Sequence, residues 1–126
     1  MIKFSEKDII MLHDILLKQH GGKPGIRDEG LLESAINNPF QTFNGADLYP
    51  IIQEKAASLC YGLINNHPFN DGNKRIGVLA MAMFLEYNGY ILKCNDSDLI
   101  FLGLGVASGK LQYDDILDWI NSMLIK

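Results

Sequence analysis

An all-α fold, a compact bundle of about six helices with one chemistry-bearing loop between the two central helices, is predicted for this chain by three observations. Apolar residues recur at spacings of three and four through six separate segments. Glycine, proline and asparagine stand between those segments, and only Tyr90 to Lys93 reads as briefly extended. With 126 residues, 48% apolar and 21% charged, the chain has the make-up of an ordinary globule that buries a core without disulfides, so a single domain over residues 1–126 is expected.

Ser5, with Asp8 three residues on, opens the first helix as a capping box in which Asp replaces the usual Glu or Gln. Ile9, Leu12, Ile15 and Leu16 share one face, and Gly21-Gly22 stops the helix. His13 lies beside that face and reads as a partly buried or surface histidine, since no metal-ligand or triad spacing surrounds it. Gly21 to Arg27, with Gly25 and Pro24, is a loop, and Arg27 reads as solvated or salt-bridged. Asp28 caps a short helix through Asn38 with Leu31, Leu32, Ala35 and Ile36 inward, and Pro39 ends it.

From Phe40 to Pro50 no period is clear and a packed connecting loop is the plain reading. Ile51 to Asn66 is helical, with Ala56, Ala57, Leu59, Cys60, Leu63 and Ile64 inward. The pre-proline position of His67 takes that residue out of the helix. The next helix starts near Asp71 and, over Ile76 to Tyr87, is the most continuously apolar segment, hence central and buried, until Asn88-Gly89. Asn95 or Asp96 caps a helix in which Leu99, Ile100, Leu102, Leu104 and Val106 form a broad apolar face. A last helix, capped by Asp114, runs from about Tyr113 to Leu124.

Composition excludes several classes of function. The net charge of −4 provides no general attraction for nucleic acid, and Lys74-Arg75 is the one adjacent basic pair. Cys60 and Cys94 lack C-x-x-C spacing, and Cys60 reads as a buried small hydrophobe. Lys3, Glu6, Lys7 and Asp8 break up any secretory apolar core, and no apolar run reaches the ~18 residues of a membrane span. A cytoplasmic protein is expected, with no membrane and no direct nucleic-acid partner.

The chemistry is concentrated in His67-Pro68-Phe69-Asn70-Asp71-Gly72-Asn73-Lys74-Arg75. A helix start leaves N–H groups without partners and carries the positive end of the dipole, so the amides around Gly72 to Arg75 form a candidate anion site. Lys74 and Arg75 add two charges, and a guanidinium grips phosphate oxygens in a bidentate way. Asp71 suits a phosphate site only if a cation such as Mg²⁺ lies between, since that ion takes one or two carboxylates together with substrate phosphates. The division of labour is Asp71 on metal, Gly72, Asn73, Lys74 and Arg75 on phosphates, and His67 as general base for an incoming hydroxyl. Each residue also has a structural reading: Asp71 as N-cap, Asn73 as loop amide, Phe69 as core anchor, Lys74 and Arg75 as solvated charges. Cations at a helix start oppose the dipole, however, and an anion there would offset that cost.

This stretch resembles the Fic motif H-P-F-x-[D/E]-G-N-[G/K]-R at every specified position. Leu12-His13-Asp14, Gly25 to Ala35, Tyr49-Pro50 and Phe84 to Gly89 further resemble the Doc (death on curing) branch of that superfamily, over residues 1 to about 120. The resemblance implies a Fic-like helical toxin of a toxin–antitoxin pair that modifies a protein hydroxyl using ATP and Mg²⁺. It implies His67 as base, Asp71 as metal ligand and Gly72, Asn73, Lys74 and Arg75 as phosphate contacts. Fic proteins with Gly at the place of Lys74 transfer AMP, whereas Lys there points to transfer of the γ-phosphate, with a translation factor, elongation factor Tu, as the family's target. The alternatives are AMP transfer and a non-catalytic nucleotide- or partner-binding module. By the same resemblance, 40–50 holds a flap that helps to dock the target. An inhibitory [S/T]-x-x-x-E-[G/N] helix is absent from these residues: the one Glu followed by Gly or Asn is Glu29, preceded four residues earlier by Gly25. Inhibition in trans by a small Phd-like antitoxin is therefore expected.

Overall fold

Two 15-residue helices, α3 (Ile52–Asn66) and α4 (Asn73–Tyr87), form the centre of the molecule, because their apolar residues are too many for one face to hold. In the computed structural model, which describes residues 1–125, every position of α3 from Lys55 to Cys60 is buried, as are Ile76, Gly77, Val78, Ala80 and Met81 of α4. Gly77 lets the two helices approach closely, since a Cβ there would lie 2.5 Å from Ile64 Cγ1 and 3.3 Å from the Cys60 carbonyl. Burial also pushes the Cys60 thiol up to about 12, which suits the inert core role expected of it. Lys126, the last residue of the expected domain, lies outside the described residues.

Around this pair pack α1 (Glu6–His20), α2 (Glu29–Asn37) with a 3-10 turn over Asn38–Phe40, α5 (Asp96–Ala107) and α6 (Tyr113–Met123), so the fold is all-α, with six α-helices among the described residues, as expected. No helix among the described residues is long and apolar enough to cross a membrane. The Ser5–Asp8 capping box forms, with Asp8 N–H on Ser5 Oγ at 3.2 Å and Ser5 N–H on Asp8 Oδ2 at 2.8 Å. Asp28 accepts from Leu31 N–H at 2.9 Å, and Asn95 and Asp98 form a second box at 2.9 and 3.1 Å.

Several expectations are corrected. Gly72, not Asp71, is the N-cap of α4, because the Asp71 carboxylate is drawn to other amides. Gln112, not Asp114, is the N-cap of α6, and its N–H is taken by Asp115 Oδ2 at 2.8 Å. The broad apolar face of α5 divides in two: Leu102 and Val106 are buried, while Ile100 and Leu104 are 60% and 53% exposed. A two-residue step turns an α-helix by about 200°, so these pairs stand on opposite sides.

Two short pairings were not expected as such. β1 (Thr42–Phe43) and β2 (Ala46–Asp47) form a hairpin turned by Asn44-Gly45, both with positive φ, inside the stretch that showed no period. Asn-Gly is the strongest short hairpin signal. Lys55, 1% exposed, donates from Nζ to Asp47 Oδ2 at 3.3 Å, to the Pro39 carbonyl at 3.4 Å and to the Tyr49 carbonyl, tying the hairpin's end to α3. β3 (Ile91–Leu92) pairs antiparallel with β4 (Leu124–Ile125), which shortens the last helix from the expected Leu124 to Met123.

Candidate active site

The loop between α3 and α4 is held from both sides. Arg27 Nε donates to the His67 carbonyl at 2.6 Å and its Nη2 to the Asn66 carbonyl at 2.9 Å, closing the C-terminus of α3. Arg27 is thus neither salt-bridged nor free for phosphate: it satisfies carbonyls, a role that sequence spacing gives no means of seeing. The strap 21–28 then runs beside the motif. Arg27 and Asp28 N–H donate to the Pro68 carbonyl at 2.7 and 3.1 Å, Asn70 N–H to the Gly25 carbonyl at 3.0 Å, and Ile26 bridges Phe69.

His67 leaves the helix as its pre-proline place requires, but into the left-handed region, φ 53° and ψ 51°, rather than an extended one. A non-glycine residue held there is a strained position over-determined by its surroundings. Its imidazole is exposed, with Nδ1 3.3 Å from the Ile64 carbonyl. A carbonyl only accepts, so Nδ1 carries the proton and the Nε2 lone pair is left for solvent or substrate.

Phe69 is buried and Asn73 beside it spends its whole side chain on the loop, Oδ1 accepting from Phe69 N–H and Nδ2 donating to the Phe69 carbonyl, each at 3.0 Å. Its main-chain N–H is the group left open toward an anion. The Gly72 N–H goes to Asp71 Oδ1 at 2.9 Å. Ile76 N–H bonds the Gly72 carbonyl at 3.0 Å, and no group among the described residues accepts from the N–H of Asn73, Lys74 or Arg75. Lys74 and Arg75 are exposed, and the single ion pair among the described residues is Lys55–Asp47. A helix start with open amides and two unpaired cations remains.

Asp71 Oδ2 accepts from Lys23 N–H at 3.1 Å. That bond, then the one from Gly72 N–H, holds the Asp71 carboxyl below its usual range, with Arg75 helping and partial desolvation opposing. Asp71 is therefore ionised at neutral pH. An exposed single carboxylate suits an ion that takes its other ligands from water and phosphate. No cluster of three or more His, Cys, Asp or Glu able to enclose a metal occurs among the described residues.

All six predicted site residues line one cleft of about 530 Å³, whose opposite wall is apolar, formed by Val78 of α4 and Leu99, Ile100, Gly103, Leu104 and Ala107 of α5. Sequence reasoning missed that wall, and also His13, which is 1% exposed and not at the surface. Its ring stacks on Phe69 at 3.8 Å and its Nε2 lies 2.7 Å from the Asp71 carbonyl.

These features define a class: all-α proteins that set an imidazole beside an open, cation-flanked helix start. The chain belongs to the Fic/DOC family, whose model matches residues 3–85 and so includes every residue of the motif. It is similar to "Toxin Doc" of Mycolicibacterium smegmatis, 45% identical over 69 residues that make up 55% of this chain and 53% of the relative, so the match spans about half of that protein. It is also similar to "Protein kinase doc" of Escherichia phage P1, 27% identical over 123 residues, 98% of this chain and 96% of the relative.

Proposed function

We propose that this protein is the toxin of a toxin–antitoxin system and transfers the γ-phosphate of ATP to a serine or threonine hydroxyl of a translation factor, elongation factor Tu by family resemblance. The observation that carries this reading is the pairing, on one cleft, of a His67 imidazole with its Nε2 uncommitted and the α4 start with its open amides. The names of the two relatives, a toxin and a protein kinase, point the same way.

In this reading the amides of Asn73, Lys74 and Arg75 and the two cationic side chains hold the phosphates, and the α5 wall takes the apolar face of the nucleoside. Asp71 would hold Mg²⁺, which when bound supplies neutralisation of phosphate charge. His67 Nε2 takes the hydroxyl proton as the new O–P bond forms and the bond from γ-phosphorus to the bridging oxygen breaks, releasing ADP. An alcohol is too weak an acid to be ionised beforehand, so positioning and charge provide most of the acceleration.

The antitoxin, a small Phd-like protein acting in trans, would lay a helix on the exposed apolar side of α5, where Ile100, Phe101 and Leu104 are 60%, 70% and 53% exposed next to the cleft. Incubation with γ-labelled and, separately, α-labelled ATP plus cell extract decides the chemistry. Protein label is expected from the γ position; label from the α position alone establishes AMP transfer instead, and none from either leaves the non-catalytic module.

A further inference from the structure

The strap 21–28 pins the main chain of the motif only as far as Asn70, and the helix resumes control at Gly72, whose carbonyl receives Ile76 N–H. Between these points lies the Asp71–Gly72 peptide. Among the described residues its carbonyl has one partner, His13 Nε2 at 2.7 Å, reached from α1, 58 residues away in sequence. Gly72 sits at φ +79°, in the left-handed region, and glycine accepts negative φ equally well, so the residue itself does not choose between the two orientations of the plane before it.

The choice matters because a trans peptide points its C=O and N–H in opposite directions. As observed, the carbonyl turns inward to the buried imidazole and the N–H turns outward to Asp71 Oδ1. The opposite orientation would aim a carbonyl oxygen toward the side where anions are to bind and would remove the N–H that orients the Asp71 carboxylate. From this geometry we infer that His13 is a positioning residue whose Nε2–H locks the Asp71–Gly72 peptide in the orientation that admits phosphate. The imidazole is itself fixed by its stack on Phe69, at 3.8 Å and 9° between planes. The inference deepens the nucleotide reading above and rests on it for the identity of the anion.

Two substitutions separate the donor from the ring. His13→Phe keeps the stack and the apolar volume but loses the N–H; His13→Gln keeps a donor of similar reach. Titration with a non-hydrolysable ATP analogue and Mg²⁺ is expected to show His13→Phe weakened by about tenfold, the effect of one lost hydrogen bond to a part-buried carbonyl, with His13→Gln close to the unaltered protein. A crystal structure of His13→Phe is expected to show the plane turned over or mixed. An unturned plane, or a turned plane with unchanged affinity, overturns the inference. If the unaltered protein does not bind the analogue, the nucleotide reading fails, while the plane in the variant crystal still judges the lock. A long-range ¹H–¹⁵N correlation on the unsubstituted protein needs no variant to fold: a His13 proton on Nδ1 instead of Nε2 overturns the inference.

Discussion

Helices α4 and α5 both line the cleft, α5 from Leu99 to Ala107, and their starts are built in opposite ways. At α5, Asn95 and Asp98 exchange side-chain and main-chain bonds at 2.9 and 3.1 Å, and Asp96 and Asp98 place negative charge where the dipole favours it. At α4 the cap is glycine with no side chain to accept, the first-turn amides have no partner among the described residues, and the charges are Lys74 and Arg75. The closed start is complete without a ligand. The open one is unfavourable by itself and would become favourable with an anion bound, which is what the proposed function requires of it.

That contrast is tested most severely by His67→Ala. Transfer is expected to fall by about a hundred- to ten-thousandfold while nucleotide affinity, measured by calorimetry, holds, since in the proposed mechanism the imidazole serves the proton and not the phosphates. Unchanged transfer would remove His67 from the path of the proton. Next in size, Arg75→Ala should weaken binding of the ATP analogue by about tenfold or more through loss of a charge-assisted contact. Equal binding would show that the cations are solvated charges only.

A smaller and sharper test uses pH. Because its folded-state pKa is depressed, Asp71 contributes stability that is present above its unfolded value and lost as pH falls through the folded one. Its capacity to bind Mn²⁺, read by paramagnetic broadening, should accordingly persist as pH drops into the ordinary carboxylate range, and Asp71→Asn should abolish it at every pH. The smallest effect is expected at the closed start: Asn95→Ala should lower stability in urea by about 1 kcal/mol and leave transfer intact. A loss of activity there would break the comparison.

How much of this was legible beforehand depended on how local the cause was. Helix existence followed from apolar period, and the boxes at Ser5 and Asn95 from residues three apart. The Asn44-Gly45 hairpin carried a local signal that the missing period obscured. Gly72 as the cap of α4 was not legible, because Lys23, 48 residues away, competes for the Asp71 carboxylate. The roles of Arg27 and His13 were likewise hidden, since each acts on a main-chain carbonyl 40 and 58 residues distant, and a carbonyl leaves no mark in side-chain pattern.

By itself, the sequence determined the six helices of the described residues, the central place of α3 and α4, and the nine-residue motif that carries the candidate site residues, because period, caps and covalent adjacency are properties of neighbouring residues. Tertiary structure alone decided which of those groups remain available. It committed the Asn73 side chain and the Gly72 N–H to the loop, left His67 Nε2 and the amides from Asn73 to Arg75 open, and brought α5 across to make a cleft. Availability is a difference between a group and every partner the fold brings within reach, and only packing distant segments together settles that difference.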